Sequence, residues 1–181
     1  MKTCDNASVG VIIQNADGDY LMFNRATFPP GVAPAAGHVD EHGTVEDAAR
    51  AEVHEELGLT VESLRPIADG WRDNRCRRNP GPRGVGHQWT VFHATVTGDL
   101  NPSTRETANV RWIPAADLQA LADRTSAYAR GGLTNEEFAA APGIEPVWIT
   151  WLYEVGVIHL EIGELTRIDR LAAAGGNPKE S

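Results

Sequence analysis

The segment "GHVDEHGTVEDAARAEVHEELGL", residues 37–59, places Glu52, Glu55 and Glu56 at spacings i, i+3 and i+4. At 100° per residue those carboxylates share one contiguous arc of a helix. A solvated acidic face is the plainest explanation, since exposed like-charge pairs cost only about 0.2–0.5 kcal/mol each. Position argues for chemistry instead. The acids fall in the last turns, where the macrodipole disfavours negative charge and Lys or Arg would be more natural. Grouped carboxylate oxygens form part of the shell of a hard cation such as Mg²⁺, with waters completing it. Zinc suits the segment less well. There is no H-E-x-x-H, His54 points away from the acidic arc, and His38, His42 and His54 read as surface or loop residues.

The helix carrying these acids has legible ends. Thr44 and Asp47 have capping-box spacing, and Gly58 is placed as a C-terminal stop. Between them lie about three and a half turns, with Val45, Ala49, Val53 and Leu57 as the buried stripe. Strand-like runs "SVGVIIQ" and "DYLMFNR" precede it, joined by a turn containing Asp17-Gly18. "TVESLRPIADGW", "GHQWTVFHATVTG" and "NVRWIP" read as later strands, and Pro114 opens a helix stopped by glycines. Two further helices are expected, "TNEEFAAA" and one from Pro146 whose Val147, Trp148, Trp151, Leu152 and Val155 form a core-packing stripe. The pattern predicts an α/β (α+β) architecture, one domain over 1–174 with helices over about 131–174 and a flexible tail at 175–181.

The loop "RDNRCRRNPGPRG" gathers Arg72, Arg75, Arg77, Arg78 and Arg83 in a chain of formal net charge −9. Arginine forks suit the oxygens of a polyphosphate, and a solvated mobile loop is the equal alternative. The overall charge opposes nucleic-acid binding and binding to anionic membranes. Trp71 and Trp89 flank this loop; either could stack on a base, though Trp89 on its strand is expected in the core. Cys4 and Cys76 lie far apart without metal-type spacing and read as free thiols of a reducing cytoplasm. The N-terminus carries no signal-peptide pattern, and no apolar run approaches the ~20 residues of a membrane span.

Gly37 followed by Glu52-Val53-His54-Glu55-Glu56-Leu57-Gly58-Leu59 resembles the Nudix hydrolase box. Two box positions differ: Gly43 stands where the family has a Glu, and Ala51 where it has an Arg. Arg50 lies about 100° around the helix, too far to replace that Arg beside Glu55. The resemblance covers a core over about 8–130, leaving 131–174 as a helical extension, and implies a mixed sheet sandwiched between helices and hydrolysis of a nucleoside diphosphate linked to another moiety. It implies Mg²⁺, with Mn²⁺ as a substitute, held by Glu52, Glu55, Glu56 and the Gly37 carbonyl. Glu106, from a loop beyond the box, is either a further ligand or, beside Glu55, a candidate for the base, and Arg72, Arg75, Arg77 and Arg78 are the candidate substrate contacts. The runner-up, suggested by Gly43 and Ala51, is a module that binds a nucleotide or sugar phosphate without turnover. The isopentenyl diphosphate isomerase branch is disfavoured, because its catalytic Cys precedes the box and Cys76 follows it. A homodimer is the default assembly.

Overall fold

The structure, a computed structural model, describes residues 2–161 and 163–176. In chain order the elements are β1 (Ala7–Ile13), β2 (Tyr20–Arg25), β3 (Val32–Ala33), β4 (Ala35–His38), α1 (Val45–Leu57), β5 (Thr60–Arg72), β6 (His87–Thr97), β7 (Thr107–Ile113), α2 (Ala115–Ala129), α3 (Asn135–Ala140), α4 (Pro146–Glu154) and α5 (Glu164–Ala173). Strands β4-β1-β6-β5 form one sheet and β3-β2-β7 a second. β1 runs parallel to β6 and antiparallel to β4, so the larger sheet is mixed.

The Asp17-Gly18 turn forms, with Gly18 in the left-handed region at φ 85°. It does not zip a hairpin: beyond the single Gln14–Tyr20 bridge, β1 and β2 part into different sheets. β5 tolerates Pro66 because it is the outer strand of its sheet, and the register shifts between Pro66 and Ala68.

Both faces of β1 are covered, which is why its sequence is a continuous apolar run. Val9, Val11 and Ile13 face a core shared with Ala48, Ala49, Val53 and Leu57 of α1. Ile12 faces the opposite core, where α2, α4 and α5 contribute Leu118, Trp148, Trp151 and Ile168. The aromatic stripe of α4 is therefore interior, with Trp148 and Trp151 fully buried. Gly10 makes room for it: a Cβ there would lie 2.3 Å from Trp148 Cη2. The indole is locked in the core, so Gly10→Ala is expected to lower stability by about 1–3 kcal/mol, read as a fall in midpoint on chemical denaturation. An unchanged midpoint would mean that Trp148 repacks freely.

α5 lies within the expected helical extension but had no helix assigned to it. Its Ile168, Leu171 and Ala172 are buried. Gly175 and Gly176 close it, their N–H groups donating to Ala172 O and Leu171 O, and Tyr128 donates its hydroxyl proton to Gly176 O at 2.9 Å. The first two residues of the expected tail are thus tied down; the remainder, 177–181, lies outside the described residues.

Candidate active site

α1 begins and ends as its sequence dictates. Thr44 Oγ1 accepts from Asp47 N–H while the Asp47 carboxylate accepts from Thr44 N–H, both at 3.1 Å. Gly58 caps the other end at φ 74°. The helix packs its apolar stripe under β1 and turns Glu52 and Glu56 toward β4. Glu56 is buried, 7% exposed, and its Oε2 accepts from Ala36 N–H at 2.9 Å. Glu52 lies against Gly37, where a Cβ would fall 1.7 Å from its Oε1. Glycine at 37 is therefore required for contact between the carboxylate and the backbone. Arg50, as expected, turns away, donating to Val61 O at 2.6 Å.

Glu52, Glu55, Glu56, Glu106 and Gly37 line one cavity of about 480 Å³. Glu55 is exposed at its rim, and Glu106 is half-buried beside Arg105, whose Nη2 lies 3.2 Å from Glu106 Oε1. Burial, then Glu55 and Glu106, push the Glu52 carboxyl up to about 7. Burial and then Glu52 raise Glu56 well above the ordinary range, against the pull of Ala36 N–H and Arg25. An all-oxygen donor set, in which burial and mutual repulsion raise Glu52 and Glu56 and a glycine cradle admits the Glu52 carboxylate, fits a hard divalent cation.

These shifts fix a stability dependence in the metal-free protein. An unfolded glutamate titrates near 4.5, whereas folded Glu52 holds its proton to about 7. Between those values the folded state binds a proton that the unfolded state has lost, so stability falls as pH rises, by about 3 kcal/mol over the full shift, then levels off. His38 and His87, held down to about 4 chiefly by burial, act with the opposite sign as pH rises from 4 to 6.5. They are common to the native chain and Glu52→Gln. In chelator, the melting temperature of Glu52→Gln relative to native is therefore expected to climb from about pH 4.5 to 7. Parallel pH profiles would show that Glu52 carries no raised pKa.

The arginine loop divides. Arg75, Arg77 and Arg78 line the glutamate cavity, and Arg72 does not. Arg72 pairs with Glu154, and its guanidinium lies 3.9 Å above the Trp151 ring. The expectation that it contacts substrate is corrected: packing against α4 holds it on another face. Arg78 reaches the cavity but is clamped by Asp40 through bonds of 2.6 and 2.7 Å. Arg83 stacks over Trp71, and Trp89 is buried, donating its Nε1–H to Asn74 Oδ1 at 3.0 Å.

Arg25, Glu145 and Phe28 are among the lining residues that the sequence did not single out. Arg25 on β2 and Glu145 before α4 form a 3.7 Å ion pair in the cavity wall. Phe28 leaves 43% of its surface exposed there. That exposure exists only in the folded chain, and neither Phe28 nor Arg25 nor Glu145 belongs to a motif.

The histidine expectation is also corrected. His42 and His54 are exposed, but His38, at the end of β4, is packed edge-on against His87 with ring centroids 5.1 Å apart. Among the described residues, the ligand-bearing side chains whose donor atoms all lie within 4.8 Å of one another are Cys4, His38, Cys76 and His87, not the glutamates. Burial pushes the Cys4 thiol up to about 11, opposed by Asn6 N–H and reinforced by Cys76. Both cysteines are free thiols.

The NUDIX domain family profile matches residues 5–131, more than half of the chain, and the chain belongs to the Nudix family. It is 32% identical over 123 residues to the NAD-capped RNA hydrolase NudC of Stutzerimonas stutzeri (strain A1501), a match covering 66% of this chain and 41% of that protein. It is 33% identical over 115 residues to the isopentenyl-diphosphate Delta-isomerase of Leifsonia xyli subsp. xyli (strain CTCB07), covering 60% of this chain and 62% of that protein. The chain thus spans less than two thirds of either relative. The MutT NUDIX hydrolase from Burkholderia pseudomallei superposes with a TM-score of 0.53 at 20% identity, covering 64% of this chain and 86% of that one. The MutT protein from Methanosarcina mazei Go1 gives 0.57 at 16% identity, covering 86% and 95%. These likenesses establish the mixed α+β Nudix fold. Among the described residues no helix is long and apolar enough to cross a membrane.

Proposed function

We propose that the chain is a divalent-metal-dependent hydrolase that cleaves the diphosphate linkage of a nucleoside diphosphate derivative. The observation that carries this reading is one cavity lined by Glu52, Glu55, Glu56 and Glu106 together with Arg75, Arg77 and Arg78. Glu52 and Glu56 would hold Mg²⁺, or Mn²⁺ in its place, with Glu55 and the Gly37 carbonyl as further oxygen donors. Once bound, the cation supplies charge neutralisation at the phosphate oxygens and acidifies an attacking water. Glu106 or Glu55 would take the proton of the attacking water. Arg77 is an exposed residue of the same cavity lining and suits a bidentate grip on phosphate oxygens. Phe28 offers a flat apolar face for a nucleobase. The whole chain fits a small nucleotide substrate, and its acidity weighs against a nucleic-acid partner.

NudC, the first relative, is by name a hydrolase of NAD-capped RNA, which makes a dinucleotide diphosphate the natural first substrate to assay. Incubation with Mg²⁺ and a panel of dinucleotides, sugar nucleotides, nucleoside triphosphates and isopentenyl diphosphate, followed by detection of nucleotide, phosphate and isomer, tests the proposal. Nucleoside monophosphate released from a diphosphate-linked substrate is expected. The second reading, a binding module without turnover, is favoured by Gly43 and Ala51 at two box positions. Calorimetric nucleotide binding with no product from the panel would establish it over hydrolysis.

A further inference from the structure

We propose that Cys4, His38, Cys76 and His87 form a tetrahedral zinc site, separate from the glutamates, that fastens the arginine loop to the wall of the cavity. Their donor atoms lie within 4.8 Å of one another, and Cys4 Sγ is 3.1 Å from His87 Nε2. Zn–S bonds of about 2.3 Å and Zn–N bonds of about 2.0 Å set tetrahedral ligand atoms roughly 3.3–3.8 Å apart, so small side-chain movements complete the shell.

Sheet register creates this convergence. Ser8 of β1 lies opposite His38 on one side, and Ala7 lies beside Gln88 on the other, so β4 and β6 bring both histidines to the same end of β1. Cys4 lies just upstream of that end. Its N–H donates to Asn79 O at 2.9 Å and Asn79 N–H donates to Lys2 O at 3.2 Å, which draws the segment carrying Cys76 alongside.

The surrounding hydrogen bonds are those of a ligand set. Trp89 Nε1–H donates to Asn74 Oδ1 at 3.0 Å, which identifies that atom as the acceptor. His87 Nδ1, also 3.0 Å from Asn74 Oδ1, must then carry the proton, leaving the Nε2 lone pair directed at Cys4 Sγ. Asn6 N–H donates to Cys4 Sγ at 3.3 Å, the contact that steadies a thiolate. His38 Nε2 is buried and has no hydrogen-bond partner, a vacancy that a ligand bond would satisfy. Binding Zn²⁺ releases the two thiol protons to solvent and joins two thiolates and two neutral imidazoles to the ion. The centre is then neutral overall, as suits a place where Cys4 is 4% and His87 2% exposed. Thiolate ligands select zinc over the hard cation expected at the carboxylates.

The consequence is mechanical. Cys76 stands between Arg75 and Arg77, so the site would hold the loop that faces the glutamates. The full chain, expressed in zinc-supplemented medium and purified under reducing conditions without chelator, is expected to carry about one zinc ion by elemental analysis. Replacing zinc with cobalt(II) is expected to give the intense visible bands of a tetrahedral ion and a near-ultraviolet thiolate charge-transfer band. Cys76→Ser, at a partly exposed position, is expected to lose both the stoichiometric zinc and the charge-transfer intensity of its thiolate. Glu56→Gln retains them. Three results overturn the proposal: a reduced native chain that takes up neither metal; zinc retained in both Cys4→Ser and Cys76→Ser but lost in Glu56→Gln; or a Cys4–Cys76 disulfide whose reduction restores no metal binding. The cobalt spectrum of the native chain decides the matter even if a variant fails to fold.

Discussion

Glu56→Gln is expected to lower Mg²⁺-dependent hydrolysis by about 100- to 1,000-fold while leaving the fold intact. The loss follows from charge: an amide of the same shape cannot neutralise a divalent ion, and losing several kcal/mol of transition-state stabilisation gives a factor of that size. The intact fold follows from packing. Glutamine fills the same buried volume and can still accept the Ala36 N–H bond that Glu56 Oε2 receives at 2.9 Å. In chelator the variant is expected to melt no lower than native, because burial and the Glu52 charge both oppose ionisation of Glu56. Rates measured across Mg²⁺ concentrations, beside a thermal melt of each protein, separate the two effects. Turnover at the native rate in a variant that binds substrate normally would remove Glu56 from the metal site.

Gly37→Ala is expected to damage the site without damaging the molecule. An added Cβ would lie 1.7 Å from Glu52 Oε1 and 2.0 Å from its Cδ. Those atoms end a flexible side chain in an open cavity, so the carboxylate swings aside at small cost in stability. What is lost is alignment. A displacement of about 1 Å in a catalytic group can lower turnover about 100-fold, and the apparent affinity for Mg²⁺ should weaken with it. The paired readout is a near-native denaturation midpoint alongside a raised Mg²⁺ requirement. Native activity together with native Mg²⁺ dependence would show that Glu52 does not need the place that Gly37 leaves for it.

Features set by local spacing were readable from the chain. Thr44, Asp47 and Gly58 bound α1 where capping rules place them, and the apolar period of α4 correctly assigned Trp148 and Trp151 to the interior. Features set by sheet register were not. Cys4, His38, Cys76 and His87 come from four separate segments, and their convergence depends on which strands flank β1. Arg72 was misplaced for a similar reason: charge alone suggested a phosphate partner, whereas Glu154 and Trp151 hold it against α4. Between these extremes lies α5. Leu165, Ile168, Leu171 and Ala172 have helical spacing in plain view, and a helix there could have been drawn from the sequence.

The partnership of Gly10 with Trp148 bears on how the protein can be cut. The family match ends at residue 131, yet the indole that fills the notch over β1 comes from α4, beyond that limit. A fragment trimmed to the matched residues would present a greasy, unroofed sheet to water and clump with its neighbours.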